Sequence, residues 1–449
     1  MPDASLPNLL PTPLKVVLAS SGGADSLGAL VWLHNQYQQG VIDEIAVVSI
    51  DHQLHPDSAE WSARACQQAR FFSIESHCIQ IEVPTRGIHG QHSLESRARF
   101  ARYEALRSWL HRRYQPKDAP VLVTAHHLED QVETFLLAAL RSSGAAGLSA
   151  MPALTRFGSG WHWRPFLQTP RSELRQLAAS LPLIPVDDPS NQDLSYDRNY
   201  LRAEILPRIQ SRWPQGLLGL GEAARQSGDD LALLESLAAI DCNLERLERL
   251  PLKALMALAP SRQANILRTW IKRHGALMPP KARLSEFIRQ LKTAEPGQHP
   301  ELAWGDWLIS RYRDELWWRT RPDAPAPKPI LWIDKTQSIE YPSGKIIRLV
   351  RTQATDPLAI GERWLDTDWL IRTRRPKDRI QPQGSAHSRS LKNWFQEHAC
   401  PPWVRPSIPV VEIEYRLACL VGWAVDQHFS PESGEASWRI EQTICREIS

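Results

Sequence analysis

The sequence predicts an α/β domain with a parallel sheet and helices on both faces, followed by a helical domain and a small α+β domain. From residue 15 to about residue 215, short apolar runs alternate with helical segments, which is the pattern of a parallel sheet. Beyond the Trp213–Gly216 stretch the pattern changes to long amphipathic helices. Short alternating strands follow the Pro-rich segment 321–329, a linker candidate. We therefore expect domains at residues 1–215, 216–325 and 326–449.

Length and composition set the broad class of the chain. At 449 residues it is too long for one core, and a net charge of +3 does not identify a partner. No apolar run reaches membrane-spanning length, and residues 1–13 lack the features of a signal peptide. The six cysteines are scattered without a Cys-x-x-Cys pair, so we expect free thiols in a reducing cytoplasm. The sequence leaves open whether the chain forms a homodimer.

The first domain is built from four predicted strands and four predicted helices. The strands are expected at Lys15–Ser20, Ile45–Ile50, Ile74–Glu82 and Val121–Ala125. The helices are expected at Asp25–Gln38, Asp57–Phe72, Ser93–Tyr114 and Glu129–Leu140. Open parallel sheets bind ligands at the carboxyl ends of their strands. Three of these strands end in polar residues, so we predict a site where they meet.

The first strand ends in a glycine-rich loop, whose residues are Ser21, Gly22, Gly23, Ala24, Asp25 and Ser26. Glycines allow positive φ, and the following helix turns its positive end toward the loop, which favours phosphate. Ser21 and Ser26 offer hydroxyl groups, and Asp25 offers a carboxylate that could help to hold magnesium. The alternative is a plain Gly-rich turn without a ligand. Because no Lys follows the glycines, this is not the loop of the common P-loop ATPases.

The second and fourth strands also end in polar groups. Asp51 and His52 follow the second strand, and His126 begins the polar block after the fourth. Asp130 and Glu133 lie three residues apart at the start of a helix and share one face. They either cap a solvated helix start or coordinate magnesium, position a nucleophile or accept a proton.

These blocks together resemble a known family. The Ser21–Ser26 loop resembles the pyrophosphate loop of the N-type ATP pyrophosphatases (the PP-loop superfamily), which cleave ATP to AMP and pyrophosphate. Within that superfamily, the order and spacing of further blocks resemble the tRNA(Ile)-lysidine synthetases over most of residues 15–215. The blocks are His126–Thr134, Gly144–Met151, Glu95 with Ala98–Tyr103, Asp188–Asn191 with Asp193, Asp197–Asn199 and Leu201–Arg202. Gln53 stands where the family often has Gly, and we expect the strand end to be unaffected.

The resemblance implies a reaction, its substrates and roles for the site residues. It implies that L-lysine and ATP convert the wobble cytidine of the CAU-anticodon isoleucine tRNA to lysidine. The loop would bind ATP together with Asp51 and His52, and Mg²⁺ would join Asp25 and Asp130 to the phosphates. Glu133 or Asp130 would bind the lysine amine, and His126 would accept a proton.

Two groups of basic residues in the first domain are further candidates. Arg99 and Arg102 lie three apart on a predicted helix and form either an ordinary basic face or a phosphate contact. Arg198, Asn199 and Arg202 lie in a loop that enters a helix, where a salt-bridge network would also explain them. The resemblance places this second segment near the active centre, which favours substrate contact.

Basic and aromatic residues are also interleaved in the last domain. Arg372–Arg379, which includes Arg374 and Arg375, is followed by Arg389–Phe395. Such a mixture suits an RNA backbone with stacked bases, or else it is surface charge around a Trp of the local core. The block resembles the tRNA-contacting C-terminal domain of the same family, so we expect Arg374 and Arg375 to bind tRNA.

The sequence disfavours three other functions. A tRNA thiolase of the superfamily would use paired reactive cysteines, and the sequence has no Cys-x-x-Cys. An amidotransferase would need a glutaminase domain with a nucleophilic cysteine, which the sequence does not show. A non-catalytic nucleic-acid-binding protein with a relic nucleotide fold is disfavoured, because the loop and the His-His-x-Glu-Asp block are both complete.

Overall fold

The computed structural model describes residues 9–85, 93–244, 248–295, 298–321, 328–341 and 345–444. The chain divides into two compact units, Met1–Trp318 (unit 1) and Arg319–Ser449 (unit 2). No helix in the described ranges is long and apolar enough to cross a membrane. The division of the sequence into three domains stays a prediction.

Unit 1 begins with a six-stranded sheet and its helices. The strands are β1 (Lys15–Ala19), β2 (Glu44–Asp51), β3 (Glu75–Gln80), β4 (Val121–Val123), β5 (Leu154–Phe157) and β6 (Gly160–Trp163). The helices are α1 (Ala24–Gln38), α2 (Ser58–Phe71), α3 (Leu94–Arg113), α4 (Leu128–Leu140), α5 (Ala145–Leu148) and α6 (Arg171–Ala179). The strand order is β3-β2-β1-β4-β6-β5, and only β5 runs antiparallel to its neighbour. The predicted α/β class and its four strands and four helices are confirmed, with shifts at the ends.

The central strand shows why this sequence gives a sheet covered on both faces. In β1, Val16 and Leu18 pack into a core with Leu30 of α1. Val17 points the other way, into a core with Leu106 of α3. Successive strand residues face opposite sides, so a continuous apolar run needs a helix layer on each face. This layering brings the ends of β1, β2 and β4 to one edge.

The middle of the chain is largely helical. Its helices are α7 (Asp197–Tyr200), α8 (Leu206–Arg212), α9 (Gly216–Asp241), α10 (Leu252–Met256), α11 (Pro260–Arg273) and α12 (Lys281–Thr293). Its strands are β7 (Arg249–Pro251), β8 (Glu301–Trp304), β9 (Trp307–Tyr312) and β10 (Glu315–Thr320), in the order β7-β10-β9-β8. The pattern of amphipathic helices beyond Trp213–Gly216 did not indicate β7, a strand of three residues that pairs with the distant β10.

Helix α9 links the sheet domain to the helical region. It packs against α4 at one end and α11 at the other. A Cβ on Gly221 would lie 2.5 Å from Leu128 Cδ1, so glycine allows α9 to approach the start of α4. Farther along, Asn265 Nδ2 donates a hydrogen bond to the Leu234 carbonyl at 2.6 Å. Helix α9 therefore contacts the start of α4 and also packs into the hydrophobic core of the helical region.

Unit 2 is mainly antiparallel sheet, as expected for a small α+β domain. Its elements are β11 (Ile330–Trp332), β12 (Ile339–Tyr341), β13 (Lys345–Thr352), β14 (Ala359–Gly361), β15 (Trp369–Arg372), β16 (Arg379–Ile380), β17 (Arg389–Ser390), α13 (Leu391–Glu397), β18 (Val410–Ile413), β19 (Arg416–Leu420), β20 (Ala424–Val425) and β21 (Ser437–Ile444). The main sheets have the orders β11-β15-β18-β19-β20 and β12-β13-β21-β14. Most of the predicted linker 321–329 lies outside the described residues.

The expectation that all the cysteines are free thiols was wrong for two of them. Cys66 of α2 is paired with Cys78 of β3. The two residues are twelve apart, but α2 packs on β3 and brings them together, a contact that no local motif signals. Cys242, Cys400 and Cys419 are free and buried. Cys445 lies outside the described residues.

Candidate active site

The diglycine turn between β1 and α1 is held by two hydrogen bonds and has no room for a side chain at Gly22. Gly22 adopts φ +78°, and its carbonyl accepts hydrogen bonds from Val186 N and Gln68 Nε2, both at 2.9 Å. A Cβ on Gly22 would lie 2.9 Å from Val186 Cγ2. Gly23 adopts φ −70° and is the N-cap of α1. Only Gly22 therefore needs the conformational freedom of glycine, and the turn is rigid before a ligand arrives.

The start of α1 is open to an anion. No side chain caps the helix at Gly23, and the first N–H groups of a helix have no partner within it. The hydroxyl of Ser26 donates to the Gly23 carbonyl at 2.9 Å, whereas Ser21 is exposed. Ser26 thus shapes the turn, and the Ser21 hydroxyl with the Ala24–Ser26 amides can contact phosphate.

Asp25 lies in a cationic setting. Both of its carboxylate oxygens accept from Arg171 Nε at 3.1 Å, and Arg175 Nε lies 3.4 Å from Oδ1. His127 Nε2 is 3.8 Å from Oδ2. Burial raises the pKa of Asp25, but Arg171, His127 and Arg175 outweigh it and leave this pKa below its usual value. The carboxylate is therefore ionised.

His127 joins the loop to the acidic start of α4. It is 2% exposed, and its Nε2 lies 3.3 Å from Asp130 Oδ2, on the side where it also approaches Asp25. Its Nδ1 lies 3.1 Å from Glu129 Oε2, at ion-pair distance but without the alignment of a hydrogen bond. Burial lowers the pKa of His127, but the three carboxylates raise it above its usual value. Asp25 and Asp130, from different strand ends, thus meet at one imidazole.

Arg202 binds the two acidic residues of α4. Its Nε and Nη2 donate to the Glu133 carboxylate at 2.7 and 3.0 Å, and Nη2 also donates to Asp130 Oδ1 at 2.9 Å. The Glu133 side chain is 0% exposed, compared with 14% for Asp130. Burial lowers the pKa of Arg202, but Glu133 and Asp130 raise it above its usual value. Arg202 lies in a π-helical turn, Leu201–Ile205, a distortion frequent at functional sites.

A second group of cations lies on α3 without carboxylate partners. The guanidinium carbons of Arg99 and Arg102 are 5.5 and 5.3 Å from the Tyr103 ring centroid. Among the described residues, no carboxylate pairs with either arginine. Burial lowers the pKa of Arg102, and the positive charges of Arg99 and Arg198 lower it further. Uncompensated positive charge of this kind suits a phosphate group.

The two other candidate histidines are neutral. Burial, with Arg164, Arg99 and Arg102 nearby, lowers the pKa of His126 to about 3 despite Asp130. His126 Nδ1 lies 2.7 Å from Thr124 Oγ1. Burial and Arg102 also lower the pKa of His52. Neither ring carries charge at neutral pH, and both pKa values are lowered whereas that of His127 is raised.

Two predicted ligand contacts are occupied by the protein itself. Asp51 is 2% exposed and accepts from Gln53 N at 2.9 Å and Gln80 Nε2 at 3.3 Å. Gln53 adopts φ +55°, a left-handed conformation that favours glycine. Asn199 Nδ2 donates to the Asp193 carbonyl at 2.9 Å. Asp51 and Asn199 therefore fix the strand end and the loop.

Arg374 and Arg375 belong to unit 2. Arg375 is exposed, and its Nη1 donates to Glu412 Oε2 at 3.0 Å. Arg374 is half-buried. Arg372, which stands at the start of the same basic block, is buried against Asp378 and Glu412.

A cavity of about 610 Å³ opens beside the acidic pair. Its walls come from α3, α4 and the segment around α7, and Arg198 Nη2 donates to Thr134 Oγ1 at 3.0 Å in this wall. The charged and polar residues that line it are Glu95, Arg99, Thr134, Arg141, Ser143, Ser195, Tyr196, Asp197 and Arg198. Both signs of charge are present, so the cavity suits a zwitterionic or polar substrate.

Sequence reasoning missed several members of this network. Arg171 and Arg175 lie 146 and 150 residues from Asp25, and no local pattern joins them. The sequence contains one local indication of their role: the two arginines are four residues apart, which places both side chains on one face of a helix. His127 also belongs to the His126–Thr134 block, but the sequence predicts a role for His126 only, because spacing alone does not show which imidazole faces the loop.

The residues present fit a magnesium ion that is shared with phosphate. Asp25 is ionised, and Asp25 and Asp130 both approach the same imidazole nitrogen. The described residues contain no group of three His, Cys, Asp or Glu side chains arranged to hold a metal. Mg²⁺ is commonly held by one or two carboxylates together with substrate phosphates and water, so this pair fits that mode of binding.

Three family models match the chain in sequence order. Residues 5–209 match a PP-loop domain, residues 250–317 a TilS substrate binding domain, and residues 370–442 a TilS substrate C-terminal domain. The first match covers the sheet and the network around Asp25 and Asp130. The second covers β7 to β10, and the third covers the basic block of unit 2.

Full-length relatives agree with these matches. The chain is 32% identical to a tRNA(Ile)-lysidine synthase of Legionella pneumophila (strain Paris), over 95% of both chains. It is 33% identical to that of Alkalilimnicola ehrlichii over 93% of this chain and 91% of the relative. For Methylococcus capsulatus the identity is 33% over 90% of each. Since its identity to these relatives is 32–33% over 90–95% of its length, the chain belongs to the tRNA(Ile)-lysidine synthase family.

Proposed function

We propose that this protein attaches L-lysine to C2 of the wobble cytidine in the CAU-anticodon isoleucine tRNA and consumes ATP to AMP and pyrophosphate. The PP-loop domain binds ATP, and the substrate domains bind tRNA. The observation that carries the proposal is the meeting of Asp25 and Asp130 at His127. A phosphate-binding turn and an acidic group for an amine thus lie within one network.

The first step activates the cytidine. We assign the phosphates of ATP to the turn at Gly22 and to the open start of α1, where amide N–H groups and the helix dipole favour negative charge. Cytidine O2 attacks the α-phosphorus, the bond to pyrophosphate breaks, and C2 becomes electrophilic. Asp25 and Asp130 would hold Mg²⁺, which supplies charge neutralisation to the phosphates when bound. Arg171 fixes the orientation of Asp25.

The second step transfers lysine. The ε-ammonium loses a proton, its nitrogen attacks C2, and the bond to AMP breaks. Asp130 is our first candidate to bind the amine, because its side chain is more exposed than that of Glu133. Glu133 then acts by holding Arg202 against Asp130. Much of the rate gain should come from this positioning and from charge stabilisation.

The histidines divide into two roles. His127 lies between Asp25 and Asp130, and these carboxylates raise its pKa, so we assign it to orienting them. His126 is neutral and is therefore able to accept a hydrogen bond or a proton, although a pKa of about 3 makes it a weak base. His52, which follows β2, is assigned to the nucleotide side of the pocket.

The tRNA reaches the network through the cavity beside α4. Arg99 and Arg102 have no carboxylate partner and can contact RNA or ATP phosphates. Arg198 and Asn199 shape the opposite wall and hold its loop. Arg374 and Arg375 of unit 2 would contact the RNA backbone elsewhere. A tRNA substrate is consistent with a cytoplasmic enzyme, and a homodimer stays a prediction.

One experiment tests the reaction and its specificity. The purified protein is incubated with labelled lysine, ATP and transcripts of the isoleucine and methionine tRNAs that share the CAU anticodon. We expect ATP-dependent label in the isoleucine tRNA alone, with release of AMP and pyrophosphate. Label in neither RNA would overturn the function, and label in both would overturn the specificity.

A further inference from the structure

Unit 2 contains a second cavity, of about 480 Å³, far along the chain from the catalytic network. It lies between the loop after β16, helix α13 and the turn before β20. Its aromatic lining is Trp394, His398 and Trp423, and its polar lining includes Gln383, Ser385 and Arg389. This volume is within the range of small-ligand sites.

The aromatic rings form a rigid wall. The rings of Trp394 and His398 are stacked at 3.8 Å with an interplanar angle of 17°, and His398 Nδ1 lies 2.9 Å from the Trp394 carbonyl oxygen. Trp423 meets Trp394 edge-on, with centroids 5.9 Å apart at 77°. Trp394 is only 4% exposed, whereas Trp423 is half-buried and His398 is exposed. Free aromatic surface is therefore offered by Trp423 and His398, while Trp394 holds them in place.

Positive charge accompanies the aromatic lining. Arg389 lines the cavity and pairs with Glu397. Lys392 is exposed on α13, the helix that also carries Trp394, and no described carboxylate pairs with it. Planar aromatic surface in a basic segment is the combination that binds bases together with their phosphate backbone.

We propose that this cavity binds one unpaired nucleobase of the tRNA, stacked on Trp423, with its polar edge toward Gln383 and Ser385. A base in a duplex cannot enter, because its faces are covered by its neighbours, whereas single-stranded ends and loops can present one. The inference rests on the proposed function for the identity of the RNA. To the catalytic network in unit 1, this proposal adds a base-binding site in unit 2.

The first test separates binding from chemistry. Trp423→Ala should raise the KM for tRNA by about 5- to 150-fold, the range expected for one lost base–aromatic stack, with kcat at saturating tRNA unchanged. Trp423→Phe should restore most of the affinity. Tyr415→Ala is the matched control, since Tyr415 is 97% exposed in unit 2 but does not line the cavity. An unchanged KM in a folded Trp423→Ala protein would overturn the proposal.

The second test identifies the base. Binding of tRNA transcripts with single abasic substitutions in their unpaired segments is measured for wild type and Trp423→Ala. At one position the abasic RNA should bind both proteins equally, because the stack is already lost. If Trp423→Ala fails to fold, the exposed His398→Ala serves instead. An equal penalty for a fully paired RNA duplex would contradict a base-specific site.

The two proposals fail in different ways. If wild-type protein transfers no lysine but its tRNA binding depends on Trp423, the function is wrong and the base-binding site stands. If lysine transfer proceeds with a KM independent of Trp423 and His398, the function stands and the base-binding site is wrong.

Discussion

Each unit contains an arginine bound to two carboxylates, and the two clusters differ in what surrounds them. In unit 1, Arg202 binds Asp130 and Glu133, and its side chain is 27% exposed beside a cavity. In unit 2, Arg372 binds Asp378 at 2.8 Å and Glu412 at 2.6 Å, and its side chain is 4% exposed. An arginine with two carboxylate partners therefore occurs once in a partly exposed site and once in a buried one.

The secondary structure explains the difference. Arg372 ends β15, which pairs with β18, and Glu412 stands two positions along β18, opposite Leu370. Arg202 stands in a π-helical turn, where an extra residue redirects side chains. We infer that the Arg372 cluster serves stability and the Arg202 cluster serves chemistry. The predictions below test this division, from the largest expected effect to the smallest.

Asp130→Asn should reduce lysine transfer by about 10²- to 10⁴-fold, the range for a lost acid–base or charge-positioning group. The melting temperature should change little, because Asn keeps the shape of Asp. The matched control is Asp378→Asn, the same change in the Arg372 cluster. It should leave kcat per folded molecule unchanged. Equal loss of kcat in both variants would contradict the division.

Glu412→Ala should destabilise the protein by about 3–5 kcal/mol, because it leaves Arg372 buried with only part of its charge compensated. Urea unfolding measures the loss, and hydrogen exchange should locate it in β15 and β18. At low temperature the folded enzyme should keep its kcat. A stability unchanged within about 0.5 kcal/mol would show that the sealed cluster is not structural.

Glu133→Gln should lower lysine transfer by about 10²-fold, since misplacement of a catalytic group by about 1 Å can have that effect. Gln keeps one acceptor for Arg202 but loses the charge and the second strong hydrogen bond. The KM for ATP should stay the same. Single-turnover assays would report the transfer step, and an unaltered rate would remove Glu133 from the scheme.

The pH dependence of stability should also differ between the clusters. Because the three carboxylates raise the pKa of His127 above its unfolded value of about 6.5, its contribution is complete below pH 6.5. That contribution is lost as pH rises through the folded pKa. We expect the stability difference between wild type and His127→Gln to shrink on going from pH 6 to pH 9. Glu412→Ala should show a nearly constant difference over the same range.

The sequence predicts local features of this molecule better than its long-range contacts. The diglycine turn and the Asp130–Glu133 spacing are local patterns, so the turn after β1 and the acidic start of α4 could be predicted from the sequence. The bond from Arg171 to Asp25 spans 146 residues, and that from Arg372 to Glu412 spans forty. Composition could not separate Arg372 from Arg375, because burial depends on which strand lies alongside.

Helix α9 has a mechanical consequence for the catalytic helix. Its 26 residues make a rod of about 39 Å at the usual rise per residue. One end bears on Leu128 at the root of the acidic pair, and the other is anchored by Asn265. Because Gly221 packs closely against Leu128, a displacement of α9 would be transmitted to the start of α4, the helix that carries Asp130.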